Sequence, residues 1–417
     1  EIYQCDWSSD VCSSDLRPAE CSYCWKVEDI GRNNPSDRIY KSEIYKDNDI
    51  ASLKDLPWDS DVNLKTLEIS FDRQCNFACS YCNAAYSSTW AQDLQEHGGY
   101  QNFIASGGGG GAYQTDGSWA EANGRHLDNN PYTEAFFKWW PELSESLDEL
   151  RITGGEATVS QNFWRFVDIM HQSDSSNMRF AVNSNLGCSD KALDKLISIT
   201  HTLPIKEFDL YTSNESFGAH ADYIRDGMKY NEWRSNLVKF IENAKFRSIT
   251  IMMTINNLCL FSITEFLDDM MLLKQQYGHH RPHISINMLR WPGFMSPLAF
   301  PDNIKSQLQL KLKTWFDKNK DSKLLVDNEK EQIQRLIDYI EVVDKGHANV
   351  SNNKDLLHHD FKSFFIQYDQ RRNKNLLDTF PELSEWYNSI MLNKVFNIVP
   401  LTAGKISNYE TGIYNND

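Results

Sequence analysis

Six short strand-like segments alternate with helix-like stretches over residues 67–288, and this rhythm constrains the fold more than any other feature. Residues 67–71 read as a first strand and 150–153 as a second, followed by a helix over 161–171 with Phe163, Phe166, Val167 and Met170 on one face. Strand 178–182 precedes helix 191–199, strand 207–211 precedes helix 231–244, strand 249–255 precedes helix 263–276, and 284–288 is the sixth strand. Repeated units of this length predict an α/β fold, a parallel sheet joined by helical crossovers. Six units are too few for a closed eight-stranded barrel. A partial barrel and a doubly wound sheet both fit the pattern. From Pro301 onward the chain is charged and helix-like, with Trp315, Leu336, Ile337 and Ile340 at helical spacing, and is expected to pack outside the sheet.

The first strand runs into Asp72-Arg73-Gln74-Cys75-Asn76-Phe77-Ala78-Cys79-Ser80-Tyr81-Cys82. Thiolates are the usual ligands of iron–sulfur clusters, and a complete set is four. A loop with three, spaced C-x3-C-x2-C, leaves one iron open, and an open position separates a catalytic metal site from a closed structural one. The spacing does not match the two cysteine pairs of a zinc ribbon. In barrel sheets the loops leaving the carboxyl ends of strands build the active site, and this loop lies there.

The 417-residue chain carries a formal charge of −16, which argues against an enzyme held on nucleic acid by basic patches. Its apolar runs fall short of the ~20 residues of a membrane span. Residues 1–16, with Asp6-Trp7-Ser8-Ser9-Asp10-Val11-Cys12-Ser13-Ser14-Asp15-Leu16, look like the translation of a sequencing-library adapter and are set aside. Without Glu1, Asp6, Asp10 and Asp15 the charge is about −12. Native sequence is then expected to start near Arg17 and to have extended further on the N-terminal side.

Cys5 and Cys12 leave the ligand inventory with that segment, and Cys21, Cys24, Cys75, Cys79, Cys82, Cys188 and Cys259 remain. Their clustering reads as metal binding rather than a disulfide framework, and the expected compartment is a reducing cytoplasm. Residues 98–131 form a long insertion with five glycines, Gly107 to Gly111, and no following Lys-Ser/Thr. This is not a phosphate loop and reads as a mobile surface loop.

The cysteine run, with Tyr81 before the last cysteine, resembles the signature of the radical S-adenosylmethionine (radical SAM) superfamily. The resemblance implies a partial (β/α)6 barrel over 63–300. It also implies a [4Fe–4S] cluster on Cys75, Cys79 and Cys82, with S-adenosylmethionine on its open iron. Reductive cleavage of that cofactor to a 5′-deoxyadenosyl radical would be followed by hydrogen abstraction from a substrate, at an expense of one electron from a donor such as flavodoxin or ferredoxin. Thr153-Gly154-Gly155-Glu156 after the second strand resembles the family's Gly-Gly-Glu motif. Its glycines allow close backbone approach to a ligand, and Glu156 is expected to hold the methionyl ammonium; alone, the tripeptide reads equally as a turn into a helix.

The same resemblance assigns Asn183 and Asn185, in Asn183-Ser184-Asn185-Leu186-Gly187, to the ribose, although Asn and Gly are also ordinary turn formers. It places Tyr81 near the adenine, and Ser213 and Arg225 at the ribose or methionyl carboxylate. For Arg225 an ion pair with Asp222 or Asp226 is the competing expectation. Glu20-Cys21-Ser22-Tyr23-Cys24-Trp25, with Glu28, Gly31, Ser36 and Arg38, resembles a twitch or SPASM-type auxiliary-cluster segment. Residues 17–62 are read as its remnant, with Cys21 and Cys24 as part of a second iron–sulfur site; a half zinc site or plain thiols are the other readings. Cys188 and Cys259 read as small buried hydrophobes, and the histidines carry no metal-ligand spacing.

The tail with Phe364-Phe365-Ile366-Gln367-Tyr368 and Phe380-Pro381-Glu382-Leu383 resembles a subset known mainly from phage and marine microbial sequences and is read as a structural cap of a helical extension, 301–417. An auxiliary-cluster relative implies a peptide or protein side chain as substrate, with a small molecule still open. The competing class is a non-catalytic iron–sulfur or zinc protein serving electron transfer or structure.

Overall fold

The structure, a computed structural model, describes residues 22–29, 51–53, 56–62, 64–105, 110–115, 130–278, 281–341 and 354–392. The chain divides into two compact units, Glu1–Val62 and Asn63–Asp417. The first contains helix α1 (Ser22–Asp29), which carries Cys24 as a free, partly buried thiol. Cys21 and residues 1–16 lie outside the described residues.

In the second unit the strands are β1 (Thr66–Ser70), β2 (Ala78–Cys79), β3 (Glu149–Thr153), β4 (Ser175–Ser184), β5 (Ile205–Ser213), β6 (Arg225–Asp226), β7 (Ser248–Ile255) and β8 (His283–Met288). Six of them form one sheet in the order β1-β3-β4-β5-β7-β8, with every neighbouring pair parallel. The order follows the chain without reversal, so the sheet has no switch point of the doubly wound kind. All six strands expected from the sequence are present, with ends shifted by a few residues.

The two faces of the sheet differ, and the period-2 pattern explains why. Leu150, Ile152, Phe180, Val182, Phe208, Leu210, Ile249, Ile251, Ile284 and Ile286 are buried and in register on one face. They share a hydrophobic cluster with Phe163 and Phe166 of α4 (Gln161–Met170), Leu193 and Leu196 of α5 (Asp190–Thr202), Trp233 and Phe240 of α7 (Tyr230–Asn243), and Phe266 and Met270 of α8 (Ile263–Tyr277). Each such side chain contributes roughly 1.5–3 kcal/mol by leaving water. The opposite face presents Arg151, Asn183, Tyr211, Ser213, Thr250, Thr254 and Ser285, all only partly buried. A parallel sheet covered on both faces has continuous apolar strands. Here β7 reads Ser-Ile-Thr-Ile-Met-Met-Thr-Ile, with every second residue buried.

Strand β8 is the last of the sheet, and its free edge is closed by side chains of α10 (Asp327–Glu341). Glu329 accepts from Ile284 N (2.9 Å), and Gln332 accepts from Ile286 N (2.6 Å). Arg335 donates to Ile286 O (3.0 Å). These bonds take the place of a further strand and remove an edge open to pairing. Glu329 also receives Lys274 Nζ of α8 at 2.5 Å, and both side chains are almost fully buried.

The C-terminal region belongs to the same unit as the sheet. Helix α11 (Lys354–Arg372) sends Tyr368 OH to Tyr223 O (3.2 Å) and packs beside the cysteine loop. It also holds the insertion. Asp360 accepts from Ile104 N (2.8 Å) and Ala105 N (3.1 Å), and Gln367 exchanges two hydrogen bonds with the Gln101 backbone. Tyr100 and Tyr113 are fully buried, Tyr100 stacks on Phe364 (centroids 5.0 Å apart), and Tyr100 N donates to Tyr113 O (2.6 Å). Tyr100 and Tyr113 of this insertion are therefore core residues rather than parts of a surface loop. Gly107, Gly108 and Gly109 lie outside the described residues. Among the described residues no helix is long and apolar enough to cross a membrane.

Candidate functional site

The cysteine loop leaves the end of β1 and is fastened by the first turn of α2 (Ser88–His97). Cys75 N donates to Ser88 Oγ (3.1 Å), and Thr89 Oγ1 donates to Cys75 O (2.5 Å). Ser87 donates to Phe77 O (2.8 Å) while its hydroxyl accepts from Trp90 N (3.3 Å) as the N-cap. The Trp90 indole donates to Cys79 O (2.9 Å). At the loop's start Asp72 accepts from Gln74 N (3.0 Å) and Ser160 Oγ (2.5 Å), and Arg73 donates to Ala84 O (2.6 Å). A polar helix start thus fixes the backbone of Cys75 and Cys79, and Cys82 N donates to Cys79 O (2.9 Å). The helix is amphipathic in the ordinary way, but its cap has a second task.

Glycines from three neighbouring loops make room for this one. A Cβ on Gly155 would sit 2.2 Å from Gln74 O, and one on Gly154 would meet Asp72 O at 2.8 Å, with φ at +124°. On Gly187 it would strike the Phe77 ring at 2.1 Å, and on Gly227 it would meet Asn76 O at 2.8 Å. Gly154 and Gly155 thus approach the cysteine loop closely. Gly187 and Gly227 do the same and were missed, because a lone glycine before a helix looks like any turn residue.

Glu156 also serves the loop. Its N–H donates to Gln74 O (2.7 Å), while its carboxylate is 2% exposed and turned inward. That carboxylate accepts from Thr158 Oγ1 (2.6 Å), Thr158 N (3.0 Å), Ser184 Oγ (2.8 Å) and Asn185 N (2.5 Å). Burial pushes its pKa up, and the hydrogen bonds oppose that shift. These four bonds tie the ends of β3 and β4 together.

Arg225 departs furthest from expectation. Its partner is neither Asp222 nor Asp226 but Glu215, reached from Nε (3.1 Å) and Nη2 (2.5 Å). The pair is buried, at 5% and 0% side-chain exposure. Nη1 lies 3.9 Å from Cys79 Sγ, and the backbone of Arg225 pairs with Cys79 through β2 and β6. Burial opposes the arginine's charge, yet Glu215, Tyr81 and Cys79 raise its pKa above the usual value. Tyr81 OH donates to the other oxygen of Glu215 (3.1 Å). Glu215 escaped notice in the sequence, where Asn-Glu-Ser after a strand resembles a solvated turn. Asp226 instead pairs with Arg372 and Lys374.

The remaining assigned residues scatter. Asn185 is buried and donates to Asn76 Oδ1 (2.8 Å), so it braces the loop. Asn183 lies on the open face of the sheet and accepts from Arg151 Nε (2.9 Å), whose guanidinium covers the Tyr211 ring at 3.9 Å. Ser213 ends β5 on that same face. Cys259 is fully buried, as expected, and donates to Asn256 O (3.1 Å). Cys188 is only partly buried, and burial followed by Glu156 raises its pKa to about 11.

Cys75, Cys79 and Cys82 are free and partly buried. Burial, then the Cys79 charge, pushes the Cys75 thiol up to about 12; Cys79 rises to about 11, with burial partly offset by Arg225. Cys82 is raised by burial and by both other cysteines. A coordinating metal deprotonates a thiol outright, which would offset the burial that raises these three. Among the described residues no group of three or more His, Cys, Asp or Glu surrounds a single ion position. A donor set of thiols alone, on a braced loop, suits soft iron–sulfur chemistry. An open pocket of about 390 Å3 is lined by Gln74, Cys75, Asn76, Ser88 and Val159, and of the assigned residues it touches Cys75 alone.

No family model matches the chain, and no curated protein matches it. Solved structures with similarity include native anSMEcpe with bound AdoMet, at 13% identity and a TM-score of 0.36, covering 60% of this chain and 59% of that one. Native anSMEcpe with bound AdoMet and Cp18Cys peptide has 9% identity and a TM-score of 0.37, covering 60% of each chain. Streptococcus suis SuiB bound to S-adenosylmethionine has 11% identity and a TM-score of 0.37, covering 72% of this chain and 59% of that one. The chain thus spans about three fifths of the length of each.

Proposed function

We propose that the chain is a radical SAM enzyme on a partial (β/α)6 barrel, acting in the cytoplasm on a peptide or protein side chain, with a small molecule as the other substrate class. The observation that carries this is the join between two motifs. The three-thiol loop leaves the first of six consecutive parallel strands, and the Gly-Gly-Glu turn after the next strand hydrogen-bonds onto it. The polar, partly open face of the sheet supports a barrel interior rather than a doubly covered sheet.

Cys75, Cys79 and Cys82 would hold a [4Fe–4S] cluster. Bound there with an open iron, it supplies the electron that cleaves S-adenosylmethionine to methionine and a 5′-deoxyadenosyl radical, the oxidant that takes hydrogen from the substrate. The chain's own residues hold the cysteine loop in place. Ser87, Ser88, Thr89 and Trp90 fix the loop backbone. Gly154, Gly155 and Glu156 would meet S-adenosylmethionine with backbone groups, since the Glu156 carboxylate is engaged inside. Asn183 and Ser213 would reach it from the open face, and Tyr81 from the loop. A flavodoxin or ferredoxin would deliver the electron. Cys21 and Cys24 would contribute to a second cluster.

Anaerobic reconstitution with iron and sulfide, reduction with dithionite and assay for 5′-deoxyadenosine tests the reading. Product that disappears in Cys79→Ala is expected. A loaded protein that makes none is a non-catalytic iron–sulfur protein, and the proposal fails. Iron content that is unchanged when Cys21 and Cys24 both become Ala removes the second cluster.

A further inference from the structure

We infer that the buried Arg225–Glu215 pair is a positioning device that sets the reduction potential at Cys79, rather than a contact to the cofactor; this rests on the cluster reading above. Three independent features meet at Cys79. Its backbone is paired with that of Arg225 across β2 and β6, and Ser80 N donates to Ile224 O (2.7 Å), so the two side chains are held in fixed register. The Arg225 Nη1 group faces the sulfur at 3.9 Å. Glu215 occupies the other two donors of the guanidinium, and Tyr81 OH closes the far side of that carboxylate.

The fork geometry decides the role. A planar guanidinium whose Nε and Nη2 are taken by one carboxylate presents its remaining N–H groups in a fixed direction, and here that direction is the sulfur. Hydrogen bonds to the sulfurs and local net charge are among the levers that set an iron–sulfur potential. On reduction one electron enters from outside, no bond breaks, and the added negative charge is spread onto the sulfurs. A facing cation and donor stabilise that reduced form; a facing carboxylate opposes it. With both present the charges nearly cancel, and the directed N–H remains.

The two halves of the pair therefore act with opposite signs. In the reconstituted full chain, without S-adenosylmethionine, a dithionite titration followed by the EPR signal of the reduced cluster reads the midpoint potential. Glu215→Gln leaves the guanidinium uncompensated and is expected to shift the midpoint positive. Arg225→Met leaves the carboxylate facing Cys79 and is expected to shift it negative. Where Arg225→Met does not fold, Arg225→Lys keeps the charge but not the fork and is expected to give a smaller negative shift. Tyr81→Phe removes a donor from the Glu215 carboxylate, leaves more of its charge uncompensated, and is expected to move the midpoint slightly negative. Shifts of the same sign in Glu215→Gln and Arg225→Met, or none in either, with wild-type iron and sulfide retained, overturn the inference and leave the cluster reading standing. A wild-type chain that takes up no cluster overturns both.

Discussion

Replacing Gly155 by alanine tests whether the cysteine loop is seated as tightly as the geometry requires. The added Cβ would lie 2.2 Å from the Gln74 carbonyl oxygen and 2.7 Å from the Arg73 oxygen, both backbone atoms that no rotamer change moves aside. Restoring ordinary contact needs a retreat of about 1 Å by one of two loops, and overpacking of this kind costs about 1–3 kcal/mol. The Glu156 N–H bond to the same Gln74 oxygen, at 2.7 Å, lies in the path of that retreat. Its loss adds about 1 kcal/mol. The sum, about 2–4 kcal/mol, corresponds to a melting point lower by about 3–5 °C for a unit of roughly 350 residues. Because Gln74 precedes Cys75, iron uptake on reconstitution should fall as well. Gly111→Ala is the control, since nothing lies within 4 Å of its Cβ position. Differential scanning calorimetry and iron analysis on both variants decide the matter. A Gly155→Ala chain that melts and binds iron like wild type would refute the claim that the Gly-Gly-Glu turn is shaped by the cysteine loop.

Two further outcomes follow from buried polar groups. Glu329→Ala strands Lys274 and the Ile284 and Val326 N–H groups, and should destabilise the chain by about 3–5 kcal/mol in urea unfolding, far more than Glu265→Ala at an exposed ion pair. Asp360 has a pKa raised by burial, so its folded form binds a proton more tightly than the unfolded chain. Its contribution to stability is present below the ordinary carboxylate pKa and is lost as pH rises through the raised one. The stability of wild type minus that of Asp360→Asn should therefore decline with rising pH in that window; a difference that grows would contradict the burial argument.

The sheet was readable because strand and helix periods are local. Alternation such as Ser248 to Ile255 places every second side chain on one face whatever surrounds it, so the element order could be taken from the chain, while which faces are covered could not. Ser87, Ser160 and Ser189 cap three of the helices, a local signal of the same kind. The insertion was misread because glycines suggest a loop, while Tyr100 and Tyr113 are buried by partners such as Phe364, more than 200 residues away.

The site divides in the same way. The thiols, their number and spacing, and the carriage of Gly-Gly-Glu on the next strand are legible in the chain, because each is a property of a short contiguous segment. What those segments touch is settled by long-range packing. It turned the Glu156 carboxylate inward, set Gly187 and Gly227 beneath Phe77, and gave Arg225 to Glu215 instead of to its sequence neighbours. Those choices depend on which loops the parallel sheet brings to one end, and on the cost of burying a charge without a partner. No local pattern of residues encodes either.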